Sequence, residues 1–157
     1  PWVFRTNKRS WVTIWEGIRW PGQTRVKIIS LRQTLVLHEY MIKKHGGSSG
    51  IRDMGMLESA IHRPFATYAG NDLYPSVFSK AGALIQSIVK NHPFLDGNKR
   101  TAFSSAFLFL KLEGVLITAN QKQVVEFMVS VANKNLSVDE IASWLKSHTR
   151  TLSSQAW

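Results

Sequence analysis

The chain has 157 residues, 44% of them hydrophobic and 19% charged, with no Cys and a formal net charge of +10. That length suits one domain with a full core, and the apolar content is too high for a wholly disordered chain. The lack of Cys excludes disulfides, a thiol nucleophile and a Cys-based zinc site, and the longest apolar run, Ala102 to Leu110, is broken by Ser104 and Ser105 and falls far short of a membrane span.

The first segment differs from the rest. Residues 1–30 hold Arg5, Lys8, Arg9, Arg19, Arg25 and Lys27 against Glu16 alone, a net of +5 that is half of the excess. Trp2, Trp11, Trp15 and Trp20 are four of the six Trp. No stretch there keeps a helical or strand period. Residues 1–27 are read as an atypical extension, appended or disordered, with a basic aromatic arm for nucleic acid or a partner as the alternative. With the charge so distributed, direct nucleic-acid binding is not expected. The start lacks a charged segment leading into an apolar one, the mark of a signal peptide, so the expected setting is the cytoplasm, with no membrane partner.

From Ile28 the punctuation is helical. Ser30 with Gln33 forms a capping box ahead of Leu31, Leu35 and Ile42, and Gly46-Gly47 stops that helix. Ser48-Ser49-Gly50 reads as loop. Asp53 caps a short helix through Met54–Ile61, which Pro64 ends. Residues 66–74 read as loop, with Pro75 in the first turn of the next helix. Val77, Ala81, Leu84, Ile85 and Ile88 form the buried stripe of that helix, which ends near Asn91. A further helix runs from Asn98 to about Glu113, apolar on most sides (Phe103, Ala106, Phe107, Leu108, Leu110), as a central buried helix would be. Val115-Leu116-Ile117 is a short extended piece. Asn120 with Gln123, and Ser137 with Glu140, are capping boxes for the last two helices, the final one over Val138–Leu145. The expected fold is an all-α bundle of about six helices with short connections, over residues 28–150, followed by a tail at 151–157.

The chemistry is concentrated in His92-Pro93-Phe94-Leu95-Asp96-Gly97-Asn98-Lys99-Arg100. A loop here feeds a helix N-terminus, whose first N–H groups lack intrahelical acceptors and whose dipole is positive, so the end attracts phosphate. Lys99 and Arg100 put two cations where the dipole disfavours them, at a cost of up to about 1 kcal/mol each, which makes sense with an anion between them. Gly97 permits positive φ or close backbone approach. Asp96 offers a hard oxygen to Mg²⁺, and His92 can accept a proton near neutral pH. Base, metal carboxylate and anion cradle lie within one short segment, as phosphoryl transfer requires. Phe94 reads as a core plug. His38 beside Glu39 reads as structural, since His-Glu without a second His four residues on is no zinc motif. His45, His62 and His148 have no paired context.

This segment resembles the active-site motif of the Fic/Doc superfamily, His-Pro-Phe-x-(Asp/Glu)-Gly-Asn-x-Arg. The resemblance continues upstream through Gly46 to Asp53, Leu57-Glu58-Ser59-Ala60 and Arg63-Pro64, and downstream through Thr101-Ala102, Phe107 to Leu110 and Leu136 to Ala142. It covers about residues 28–148. One position separates the branches: where AMP-transferring members have a second Gly after the Asn, this chain has Lys99, as Doc toxins do. The resemblance therefore implies a toxin of a type II toxin–antitoxin pair, a protein kinase that transfers the ATP γ-phosphate to a Ser/Thr hydroxyl. The family's target is the elongation factor that delivers aminoacyl-tRNA, and its modification blocks translation.

The resemblance also implies roles and partners. His92 would be the general base and Asp96 the Mg²⁺ ligand. Gly97, Asn98, Lys99 and Arg100 would hold the ATP phosphates, and Arg52 and Arg63 would flank the site or its target-docking flap. A cognate antitoxin would lay its C-terminal segment in a groove. Nothing in the domain resembles the inhibitory motif some Fic proteins carry, so inhibition is expected in trans. The alternatives are transfer of AMP to a hydroxyl, and a non-catalytic module that only binds nucleotide or antitoxin. Intact His92, Asp96, Asn98 and Arg100 argue against the last.

Overall fold

The computed structural model describes residues 29–152. The readings of residues 1–27 as an extension and of the end of the tail lie outside those residues. Six α-helices are present among them, as the capping signals predict: α1 (Leu31–His45), α2 (Met54–His62), α3 (Val77–Asn91), α4 (Asn98–Leu112), α5 (Gln121–Asn133) and α6 (Val138–Ser147). The boxes at Ser30–Gln33, Asn120–Gln123 and Ser137–Glu140 are all formed, and Asp53 accepts from the Met56 N–H. None of these helices is long and apolar enough to cross a membrane.

Helix α3 is the hub, with α2, α4 and α6 packed on it, and α1 lies on α4. Every residue of α4 from Thr101 to Leu110 is buried, which explains why its apolar positions show no single stripe. The close approach of α6 to α3 is made possible by Gly82, where a Cβ would meet the Val138 carbonyl oxygen at 2.9 Å. The main core joins Leu37, Ile85, Ile88, Phe103, Leu110, Met128, Ile141 and Leu145. A smaller core of Leu57, Ile61 and Phe94, flanked by Leu31 and Leu35, lies beneath the α3–α4 connection.

Between α2 and α3 the structure departs from the expected loop. The α-helix stops at His62, just ahead of Pro64 as expected, but the chain then makes a 3-10 turn, Arg63–Phe65, that holds Pro64, because an early-turn position needs no Pro N–H. A two-stranded hairpin follows, β1 (Thr67–Tyr68) with β2 (Asn71–Asp72). Its turn residues Ala69 and Gly70 have φ of 50° and 80°, the pair of positive values a tight hairpin needs. Ala-Gly is a weaker turn signal than Asn-Gly, so composition does not reveal it. Lys80 Nζ donates to Asp72 Oδ2 at 3.0 Å and to the Tyr74 carbonyl at 2.6 Å, tying the hairpin to α3. Pro75 lies just before α3; the N-cap is Ser76, which forms a capping box with Ser79. Val115–Ile117 is extended as expected, as β3, and pairs antiparallel with β4 (Thr149–Thr151), so the paired strand runs one residue into the segment read as tail.

Candidate active site

The connection from α3 to α4, residues 92–97, is held by backbone bonds to the segment between α1 and α2. The Pro93 carbonyl accepts from the Arg52 and Asp53 N–H groups at 2.7 and 3.0 Å, and the Leu95 N–H donates to the Gly50 carbonyl at 3.1 Å. Phe94 is fully buried and stacks on His38, with ring centroids 3.8 Å apart. The exposed residues on either side of it, His92 and Leu95–Asp96, are thereby presented from a fixed base.

His92 caps α3 in the left-handed region, at φ 48°, and its ring is oriented by Asn98. The Asn98 amide accepts from the Phe94 N–H through Oδ1 at 2.9 Å and donates to the Phe94 carbonyl through Nδ2 at 3.0 Å. Those two bonds fix which end of the amide is which. The amide therefore turns an Nδ2–H toward His92 Nδ1, at 2.7 Å. A neutral His92 ring in this arrangement carries its hydrogen on Nε2. The sequence motif assigns Asn98 to the phosphates; its side chain, 5% exposed, instead orders the loop and the imidazole, and its backbone N–H is the group left for an anion.

Asp96 lies ahead of α4 with its side chain half exposed. Oδ1 accepts from the Gly97 N–H at 2.7 Å and Oδ2 from the Ser48 N–H at 3.3 Å. It does not cap Asn98; the N-cap is Gly97, at φ 78° and without a side-chain cap. Each carboxylate oxygen keeps lone-pair capacity toward solvent. No group of three or more His, Cys, Asp or Glu among the described residues could hold a metal by itself. One carboxylate beside a phosphate-attracting helix end nevertheless fits Mg²⁺, which is commonly held by one or two carboxylates, substrate phosphates and water.

Arg100 is mostly buried, and Nη1 donates to the Gly46 carbonyl at 3.0 Å and the Met41 carbonyl at 3.3 Å. Its charge is thus placed at the C-terminal end of α1, where the helix dipole favours a cation, and Nη2 remains 4.0 Å from Asp96 Oδ1. Lys99 sits in the first turn of α4, partly exposed. Arg52 flanks the site: Nε donates to the His92 carbonyl and Nη2 to the Asn91 carbonyl, both at 2.7 Å, satisfying the end of α3. Arg63 is not brought to the loop. It binds Tyr74 Oη, Gln86 Oε1 and Ser87 Oγ, bracing the chain after the hairpin against α3.

Sequence reasoning missed His38, Gly47 and Ser48 as parts of this site. A second Gly after the one needed to end α1 is the signal that was available. Gly47 has φ 118°, and a Cβ there would fall 2.5 Å from Asp96 Oδ2. Gly47→Ala is expected to displace the carboxylate and to cost about 1–3 kcal/mol through backbone strain. The urea midpoint measures this, and a midpoint equal to that of the parent refutes it.

The Fic/DOC family model matches residues 28–110. Over 102 residues the chain is 42% identical to Toxin Doc of Mycolicibacterium smegmatis, which spans 64% of this chain and 78% of that protein. Over 118 residues it is 31% identical to the Protein kinase doc of Escherichia phage P1, spanning 75% of this chain and 92% of that protein.

Proposed function

The chain belongs to the Fic/Doc family, and from that premise we propose that it is a Doc-type toxin: a kinase that moves the γ-phosphate of ATP to a Ser/Thr hydroxyl of a target protein. The observation that carries this reading is that one rigid loop presents an exposed imidazole, His92, and a half-exposed carboxylate, Asp96, at the N-terminus of a helix. Lys99, where AMP-transferring relatives have Gly, favours the γ-phosphate over AMP. By the same resemblance the target is the elongation factor that delivers aminoacyl-tRNA, and the cognate antitoxin lays its C-terminal segment in a groove of the toxin.

In this reading the phosphates lie against the N–H groups at the start of α4, with Lys99 and Arg100 countering their charge. Asp96 holds Mg²⁺, which when bound supplies charge neutralisation to the phosphates. The acceptor oxygen bonds to the γ-phosphorus, the bond to the β-phosphate oxygen breaks, and ADP leaves. The hydroxyl proton goes to His92 Nε2. Because Asn98 makes Nδ1 an acceptor in the resting loop, the exposed ring must first pass its Nε2 hydrogen to solvent water and take one from water on Nδ1, giving up the Asn98 bond. Phosphoryl transfer relies mainly on positioning and charge, so this proton adjustment is a secondary demand.

Incubation with Mg²⁺ and ATP labelled at either phosphorus, in the presence of a bacterial lysate, tests the reading. Label from the γ position is expected on a protein whose mass rises by one phosphate. Label from the α position would mean AMP transfer instead, and no labelled protein in either arm would leave only a binding module.

A further inference from the structure

We propose that His38, on α1, is a positioning residue that sets the direction of the Asp96 carboxylate through a single peptide unit, a role resting on the kinase reading above. His38 is 1% exposed. Its Nε2 lies 2.8 Å from the Asp96 carbonyl oxygen, to which only an N–H can donate. Its Nδ1 is 3.8 Å from Glu39 Oε1, beyond hydrogen-bonding reach. Since a carbonyl oxygen can only accept, Nε2 carries a hydrogen, and a ring with its one hydrogen there satisfies every contact.

The peptide joining Asp96 to Gly97 is planar, with its C=O and N–H on opposite sides. Pinning the carbonyl on His38 therefore fixes where the Gly97 N–H points, and that N–H binds Asp96 Oδ1 at 2.7 Å. Ser48 N–H holds the other oxygen. The ring also stacks on Phe94 within 7° of parallel, and its Cδ2 would lie 3.7 Å from a Cβ on Gly97. Packing alone would be met by Phe or Leu without the cost of burying a polar ring; only the N–H orients the peptide.

Three variants separate donor from bulk. His38→Phe keeps a ring against Phe94 but donates nothing; His38→Leu does the same with less volume, should the larger ring disturb folding; His38→Gln restores an N–H of similar reach. In the nucleotide-free protein, amide hydrogen exchange at Gly97 and Ser48 is expected to quicken about tenfold in the Phe and Leu variants, the equivalent of one ordinary hydrogen bond. It should return toward the parent rate in the Gln variant. The gain in affinity that Mg²⁺ confers on a non-hydrolysable ATP analogue, measured by calorimetry, should follow the same order. Parent-like exchange in the Phe and Leu variants, or a Gln variant no better than they are, would overturn the proposal. If the parent itself bound no Mg²⁺-nucleotide, the kinase reading would fail, and the exchange comparison would still decide whether His38 holds Asp96.

Discussion

His92→Ala is expected to lower γ-phosphate transfer by about 10²–10⁴-fold, the contribution of a positioned general acid–base group. Nothing else on the loop is free to replace it: in the proposed reading the remaining lone pairs of Asp96 go to Mg²⁺, its oxygens already accepting from the Gly97 and Ser48 N–H groups, and the Asn98 amide has no basic site. The fold should survive, because the His92 side chain is exposed and contributes one hydrogen bond, to an amide that keeps both of its bonds to Phe94. A thermal melt beside the transfer assay separates loss of chemistry from loss of structure. In cells the variant should no longer arrest growth. A His92→Ala protein that transfers phosphate, or stops growth, as the parent does would remove the catalytic reading.

Phe94→Ala should be the most damaging change to stability in the active-site loop, at about 3–5 kcal/mol. The ring is fully buried among Leu57, Ile61, Leu31 and Leu35, and it stacks on His38. Its loss leaves a cavity between α1 and α2, which the backbone pairing of Ile51 with Phe94 keeps from closing. Against a typical domain stability of about 5–15 kcal/mol, such a loss is a large fraction of the total. The neighbouring Leu95, 57% exposed, provides the internal contrast: Leu95→Ala should stay within about 0.5 kcal/mol. Urea unfolding of both variants measures the difference, and similar midpoints would mean that the loop is not anchored by its aromatic plug.

These two expectations differ in how early they can be drawn. The role proposed for His92 comes from the motif and from its place before a helix start, both visible in the order of residues. The role of Phe94 as a plug was also legible, but its partners were not. The segment from Arg63 to Tyr74 was the least legible part. Its 3-10 turn and hairpin depend on Lys80, Gln86 and Ser87 reaching back from α3, and local composition there is ambiguous.

The amino-acid order alone determined the helices, because a capping box is a bargain between residues three apart: Ser30 with Gln33, Asn120 with Gln123, Ser137 with Glu140. It likewise determined the loop that carries His92 and Asp96 and the buried character of α4. Tertiary structure decided how those groups are aimed. Arg52 reaches the His92 carbonyl across 40 positions, His38 reaches the Asp96 carbonyl across 58, and Arg100 is drawn to the end of α1 across 54. Such bonds close large loops of chain, and no local propensity records them; they exist only once burial of the two hydrophobic cores has brought α1, α3 and α4 together.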